Sequence, residues 1–230
     1  MVNYVSKFII FCLVMLVFSS PAFAGDIYYL DDDSYETSSK NFGKTGDNWS
    51  AWRKCESFYE ENSIIRTLTF WKHTARKVDT GRVSCRHLER DGTMEEGYYE
   101  TSDYFFNMKS TGGKKKKAKV DLDTLTVGVK VRSCRGAMVD FKLLSMPADE
   151  IAALESTSDA TGDYAVGKKR CFTAAGTPYK PDTDTLTCDP GYVLTGLKVN
   201  YDETLTGRNA KVRGFKAQCT SLHLTNRTAL

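Results

Sequence analysis

The chain has 230 residues, 41% hydrophobic and 27% charged, and its 32 Lys and Arg against 29 Asp and Glu leave a formal net charge of +3. So even a balance argues against nucleic acid as a partner, since that needs a concentrated basic footprint. His73, His87 and His223 are the only histidines and are widely spaced, which argues against a zinc centre built from three or four convergent ligands.

Residues 1–24 have the parts of a secretory signal peptide. Lys7 precedes the apolar run Phe8–Phe18, and Ser19–Ala24 ends in a small-x-small cleavage pattern that places the mature start at Gly25. The apolar run is short for a membrane span, and no second one follows, so none is expected after cleavage. Six of the seven cysteines lie beyond the leader. An export signal followed by an even set of cysteines points to an oxidising compartment, periplasmic or secreted, and to a three-disulfide framework.

Residues 25–47 are acidic and irregular, an N-terminal arm or an edge strand, and 48–230 are expected to form a single β domain. Within it Ile65–Phe70, Leu125–Arg132, Val193–Val199 and Val212–Ala217 alternate apolar and polar residues, as half-buried antiparallel strands do. Pro147–Glu155 is the best helix candidate, with proline and acids in its first turn, but short enough to be a loop excursion. Gly/Ser/Thr/Asp clusters at 156–163 and 173–185 suggest surface loops. Lys114, Lys115, Lys116 and Lys117 follow Gly112-Gly113 and suggest a solvated hairpin tip or an anion-binding loop for lipid head groups or acidic polysaccharide.

The cysteines bound three units. Cys55 and Cys85 enclose the Ile65–Phe70 strand, Cys188 and Cys219 enclose Val193–Val199, and Cys134 and Cys171 enclose the apolar run Met138–Leu144. A two-stranded ribbon cannot bury its apolar face alone. A bridge across its ends contributes about 3–4 kcal/mol in the entropic account. The spacing favours Cys55–Cys85, Cys134–Cys171 and Cys188–Cys219. A second reading stays open for the middle unit, because Val127–Cys134 also looks like a strand that closes on its cysteine.

These residues resemble a known family. Trp49-Ser50-Ala51-Trp52-Arg53-Lys54-Cys55 is similar to the W-x-x-W…C opening of vitelline membrane outer layer protein I repeats. Cys188–Val199 resembles their cysteine-proline-glycine strand, and Gly214–Cys219 their closing Gly-Ile-Arg-Leu-x-Cys. The family's Gly-Asp-Asp-Thr turn is absent, with Val78-Asp79-Thr80-Gly81 standing nearby instead. The resemblance implies an all-β fold of disulfide-stapled antiparallel sheets, arranged as a β-prism of three pseudo-threefold repeats.

For chemistry, no G-x-S-x-G or Ser/His/Asp signature is present. Asp31-Asp32-Asp33, Glu60-Glu61, Glu95-Glu96 and Asp202-Glu203 sit in polar, turn-like runs, so no enzyme, cofactor or metal is expected. Aromatic residues are more suggestive. Trp49, Trp52, Phe58, Tyr59, Phe70 and Trp71 crowd one stretch, and Tyr98, Tyr99, Tyr104, Phe105 and Phe106 another. Exposed rings stack on sugar C–H faces while polar neighbours take the hydroxyls. Trp49 and Trp52 are the first choice for such a pair, with Trp71 beside them. The expected function is a non-enzymatic binding module for glycan or envelope polysaccharide. The alternative is a structural or protein-interaction component of the envelope or extracellular matrix.

Overall fold

The computed structural model describes residues 27–43, 45–57, 61–97, 99–108, 112–205 and 207–225; the leader, Phe58, Tyr59, Glu60 and Tyr98 lie outside them. In chain order the strands are β1 (Ile27–Glu36), β2 (Lys40–Asn41), β3 (Asn48–Trp49), β4 (Arg53–Lys54), β5 (Ser63–Lys72), β6 (Val78–His87), β7 (Glu100–Thr101) and β8 (Lys114–Lys119). There follow β9 (Leu125–Cys134), β10 (Ala137–Met146), helix α1 (Ala148–Ala152), β11 (Cys171–Phe172), β12 (Pro178–Tyr179), β13 (Asp182–Thr187), β14 (Tyr192–Glu203) and β15 (Ala210–Thr225). Among the described residues no helix is long and apolar enough to cross a membrane.

The alternating segments pair as three hairpins, β5–β6, β9–β10 and β14–β15. Each takes on a third antiparallel strand: β8 along β5, β13 along β9, and β1 along β15. The second hairpin turns through Arg135 and Gly136, whose φ of 53° and 64° make the two-residue turn that suits strand twist. Pairing of Val78 with Ala210 joins the first and third sheets along one hydrogen-bonded path. β5 packs on β9 and β14, β10 on β8 and β15, and β9 on β14. Every sheet therefore meets the other two, and the chain forms a β-prism about one apolar core.

One phenylalanine from each hairpin marks the centre. Phe70 meets Phe141 edge-on at 5.2 Å and Phe215 at 6.3 Å, and all three are buried. Opposite Phe70 stands Gly81, where an added Cβ would fall 2.3 Å from the ring. The absence of a side chain at 81 is what lets the ring lie across β6.

The bridges are Cys55–Cys85, Cys134–Cys171 and Cys188–Cys219. The first and third close the open ends of their hairpins, since Cys85 pairs with Ile65 and Cys219 with Leu194, near the starts of β5 and β14. The second is placed differently. Cys134 ends β9 at the turn, Met138–Leu144 returns alongside as β10, and Cys171 comes later, on β11. Both readings of the middle unit hold in part: Cys134 bridges Cys171 with β10 and a long loop between them, and β9 is a strand that closes on Cys134.

Two expectations need correction. Lys114–Lys117 do not form a loop; they belong to β8, an edge strand with Ala118 buried beneath it. Lysines suit that position because their charges block pairing with a further strand. The 173–185 stretch is likewise not all loop, as it holds β12 and the start of β13. The acidic segment after the leader takes its edge-strand form as β1, and Asp31–Asp33 fall in the register shift between Leu30 and Ser34.

Between the first two sheets lies a buried charge. Burial pushes the Lys72 ammonium from 10.5 to about 8, against a smaller opposing pull from Asp140, while Nζ donates to the Met138 carbonyl at 3.4 Å. The unfolded chain thus holds this proton more tightly than the folded one, so the Lys72 contribution to stability rises as pH climbs from about 8 to 10.5. About 3 kcal/mol is involved, at about 1.36 kcal/mol per pH unit. Urea unfolding of wild type and Lys72→Met at pH 7 and pH 10.5 measures it. The difference between them is expected to move by that amount in favour of the wild type at the higher pH. An unchanged difference would mean that burial does not depress the Lys72 pKa, its proton being held equally in the folded and unfolded chain.

Candidate functional site

Short strands β3 and β4 lie along β14 and carry two of the tryptophans to the outer face of the third sheet. Asn200, fully buried, fastens the first of them. Its Oδ1 accepts from the Gly46 N–H at 2.5 Å, and its Nδ2 donates to the Gly46 and Asn48 carbonyls at 3.1 and 2.9 Å. Ser50 adds a reciprocal pair: its N–H donates to the Val199 carbonyl at 2.8 Å, and its Oγ accepts from the Val199 N–H at 3.0 Å. β4 pairs at Gly196, where a Cβ would stand 3.1 Å from Lys54 Cγ, so a glycine lets the two backbones approach.

On this frame Trp49 and Trp52 are half-buried rather than fully exposed, and they share a cation. Lys198 Nζ lies 6.0 Å from the centroid of each ring. Lys216, directly opposite Lys198 in the β14–β15 register, lies 5.5 Å from Trp49, and Lys54 lies 5.8 Å from Trp52. Two like charges opposite one another on a sheet repel. The negative ring faces between them offset that repulsion. The outcome is a row of rings and ammonium groups across the outer face: Lys216, Trp49, Lys198, Trp52, Lys54.

Trp71 belongs to a different cluster, on the first sheet. Its ring meets Tyr104 edge-on at 5.7 Å, with the Arg82 guanidinium 5.4 Å and Lys115 Nζ 5.7 Å from it. Arg53 links the two regions, donating from Nε and Nη2 to the Tyr104 carbonyl at 3.2 and 2.5 Å. Of the lysine run, Lys115 and Lys117 pair with Trp71 and Thr69, while Lys114 and Lys116 pair with buried Lys72 and Phe70. Successive lysines therefore face opposite sides of the sheet, and the four do not act as one cluster.

A third ring–cation contact was not anticipated. Tyr164, in the loop after β10, has the Arg132 guanidinium 3.6 Å from its centroid and Lys142 Nζ at 5.4 Å. Burial pushes its hydroxyl up, with Arg132 acting in the opposite direction. A lone tyrosine in a Gly/Asp-rich loop gives no periodic signal, and its cationic partners come from β9 and β10.

The carboxylate runs serve local structure. Asp33 Oδ2 accepts from the Tyr192 hydroxyl at 2.6 Å, which holds that hydroxyl above its ordinary range. Asp31 lies 3.3 Å from His223, and Asp202 pairs with Arg213 at 2.7 Å. Among the described residues no group of three or more His, Cys, Asp or Glu side chains gathers to hold a metal ion.

Fold and site together describe a disulfide-stapled β-prism protein with aromatic–cation outer faces. No family model matches the chain, and no curated protein matches it. Solved structures of similar shape include a Malaysian banana lectin, 7% identical with a TM-score of 0.42, covering 82% of this chain and 99% of that one. A mannose-binding jacalin-related lectin from Ananas comosus is 9% identical with a TM-score of 0.37, over 82% and 98% of the two chains. The V. cholerae biofilm matrix protein Bap1 is 9% identical with a TM-score of 0.35, over 84% of this chain and 27% of that one. Similarity this remote carries no statement about ligand, which has to come from the site.

Proposed function

We propose that the protein is a non-catalytic glycan-binding module of the periplasm or extracellular space, and that it binds through the outer face of its third sheet. The observation that carries this reading is the pinned pair Trp49 and Trp52, half-buried and spaced about the shared Lys198 ammonium. Rings held by short, side-chain-fastened strands lose little freedom when a sugar stacks on them. Lysines between the rings suit a glycan bearing carboxylates, because each ammonium offers three donors and a charge.

The interaction-component reading has less support. Three of the most exposed large apolar residues among those described, Leu154, Phe172 and Leu205, sit far apart in the chain on separate segments. Edge strand β8 presents lysines, which oppose strand addition.

Titration calorimetry against a panel of neutral and uronate-bearing polysaccharides tests the proposal. Trp49→Ala and Trp52→Ala are each expected to weaken binding about five- to tenfold, for about 1–1.4 kcal/mol of ring stacking removed, with little change in melting temperature. Lys198→Gln is expected to weaken the uronate-bearing ligands more than the neutral ones and to flatten their salt dependence. Unchanged affinity in both tryptophan variants would remove this face from the function.

A further inference from the structure

A separate cleft of about 190 Å³ opens on the outer face of the first sheet, lined by Arg66, Arg86, Lys117 and Lys119 together with Ser84 and Tyr99. Four cations and no carboxylate line it. Three strands contribute: β5 brings Arg66, β6 brings Ser84 and Arg86, and β8 brings Lys117 and Lys119.

The register explains how so many cations converge. Ile65 pairs with Cys85 and Thr67 with Ser84, so Arg66 is an extra residue in a β-bulge. A bulge re-aims a side chain that regular alternation would send elsewhere. Across β5, Lys119 and Lys117 pair with Thr67 and Thr69 and so share a face with them. Both arginines are nearly inaccessible, at 7% and 8% exposure, and are held by backbone carbonyls. Arg66 Nε donates to Val120 and Arg86 Nη1 to Glu95, each at 3.2 Å. Tyr99 forms the outer wall, its ring 5.1 Å from the Arg86 guanidinium and half-exposed.

These charges oppose one another. Burial first, then Arg86, pushes Arg66 below its ordinary range, with Asp121 and Glu96 pulling weakly the other way. Burial, then Lys119, Lys115, Arg66 and Arg86, pushes Lys117 down. The charged forms of Arg66 and Lys117 are thus each disfavoured by the cations around them, and an anion seated in the cleft would relieve both. At about 30 Å³ per water, the space takes a tetrahedral oxyanion with a few waters. Forked arginine donors and ammonium groups match such an anion's geometry and charge.

We infer that this cleft is a binding site for a sulfate or phosphate monoester carried on a glycan chain. A stem is needed to bring the anion past Tyr99 to two recessed arginines, and a monoester on a flexible sugar provides one. A membrane surface would instead call for apolar side chains around the rim, and Tyr99 is the one large exposed ring lining the cleft. The site shares no residue with the Trp49–Trp52 face, so failure of either reading leaves the other standing.

The test compares binding of dextran sulfate, unsulfated dextran, inorganic sulfate, inorganic phosphate and phosphatidylglycerol vesicles to the full mature protein. Dextran sulfate is expected to bind, unsulfated dextran not to bind, and inorganic sulfate or phosphate to compete. Lys117→Gln/Lys119→Gln, which changes exposed side chains only, is expected to weaken dextran sulfate at least tenfold and to lower the salt slope by about one for each ammonium removed. Arg86→Gln is expected to weaken it further, with melting followed in parallel. Equal binding of dextran sulfate by wild type and the double lysine variant would overturn the inference, as would tighter binding to the vesicles than to dextran sulfate.

Discussion

Replacing Asp140 with alanine is expected to destabilise the protein by about 3–5 kcal/mol, the range for breaking a buried charged network from one side. Asp140 is fully buried on β10. Its Oδ1 accepts from the N–H groups of Phe141 and Val166, both at 2.9 Å, and its Oδ2 from the Lys168 N–H at 2.7 Å. Arg132 Nη1 stands 3.6 Å from Oδ2 and also donates to the Lys168 carbonyl at 3.1 Å. One carboxylate therefore ties the loop bearing Tyr164 to the second sheet. Without it, buried N–H groups lose their acceptor and Lys72 loses the charge that partly offsets its burial. Urea unfolding gives the magnitude. Limited trypsin digestion gives the location, since cleavage at Lys168, Lys169 or Arg170 is expected well below the unfolding midpoint. Asp140→Asn, which keeps acceptor oxygen but drops the charge, is expected to fall between wild type and alanine. Wild-type protease resistance in Asp140→Ala would mean the loop is held by something else.

Phe70→Ala is expected to cost a similar amount, about 3–5 kcal/mol, because it empties the point where the three sheets meet. Phe70 stacks on Phe105 at 6.0 Å as well as meeting Phe141 and Phe215, and nothing on β6 can fill the gap, since its partner there is Gly81. The converse substitution is informative. Gly81→Ala places a Cβ against the Phe70 ring and is expected to cost about 1–3 kcal/mol by overpacking. In the Phe70→Ala background the same methyl enters vacated space and is expected to be neutral or stabilising. A double-mutant cycle by chemical unfolding should then return a coupling of about 1 kcal/mol or more, whereas additive effects would show that the two residues do not share the junction.

The strands found by alternation, β5, β9, β14 and β15, are the largely buried ones, rich in the Val, Leu, Ile and Phe that the core takes up, with β5 covered on both faces. The strands that escaped notice, β8 and β13, are edges with polar residues on both faces. They exist because a neighbour offers unpaired backbone groups, and that cause leaves no trace in the strand's own residues. β1 was left open between an arm and an edge strand, because the shift between Leu30 and Ser34 breaks its alternation. Trp49 and Trp52 stood out as aromatic residues before a strand. That Lys198 and Lys216 would stand over them depends on which strands pair, about 150 residues further along the chain.

By itself, then, the sequence determined the β class and the cysteine spacing that fits its bridges. Each is written in local composition and periodicity. Tertiary structure alone decided that β9 ends at Cys134 and turns back through Arg135-Gly136, and that the lysine run splits between two faces. It alone placed Arg66, Arg86, Lys117 and Lys119 around one cleft. Side-chain periodicity says which residues share a face of a strand. Only the long-range register and the bulge at Arg66 say which faces, and therefore which charges, are brought together.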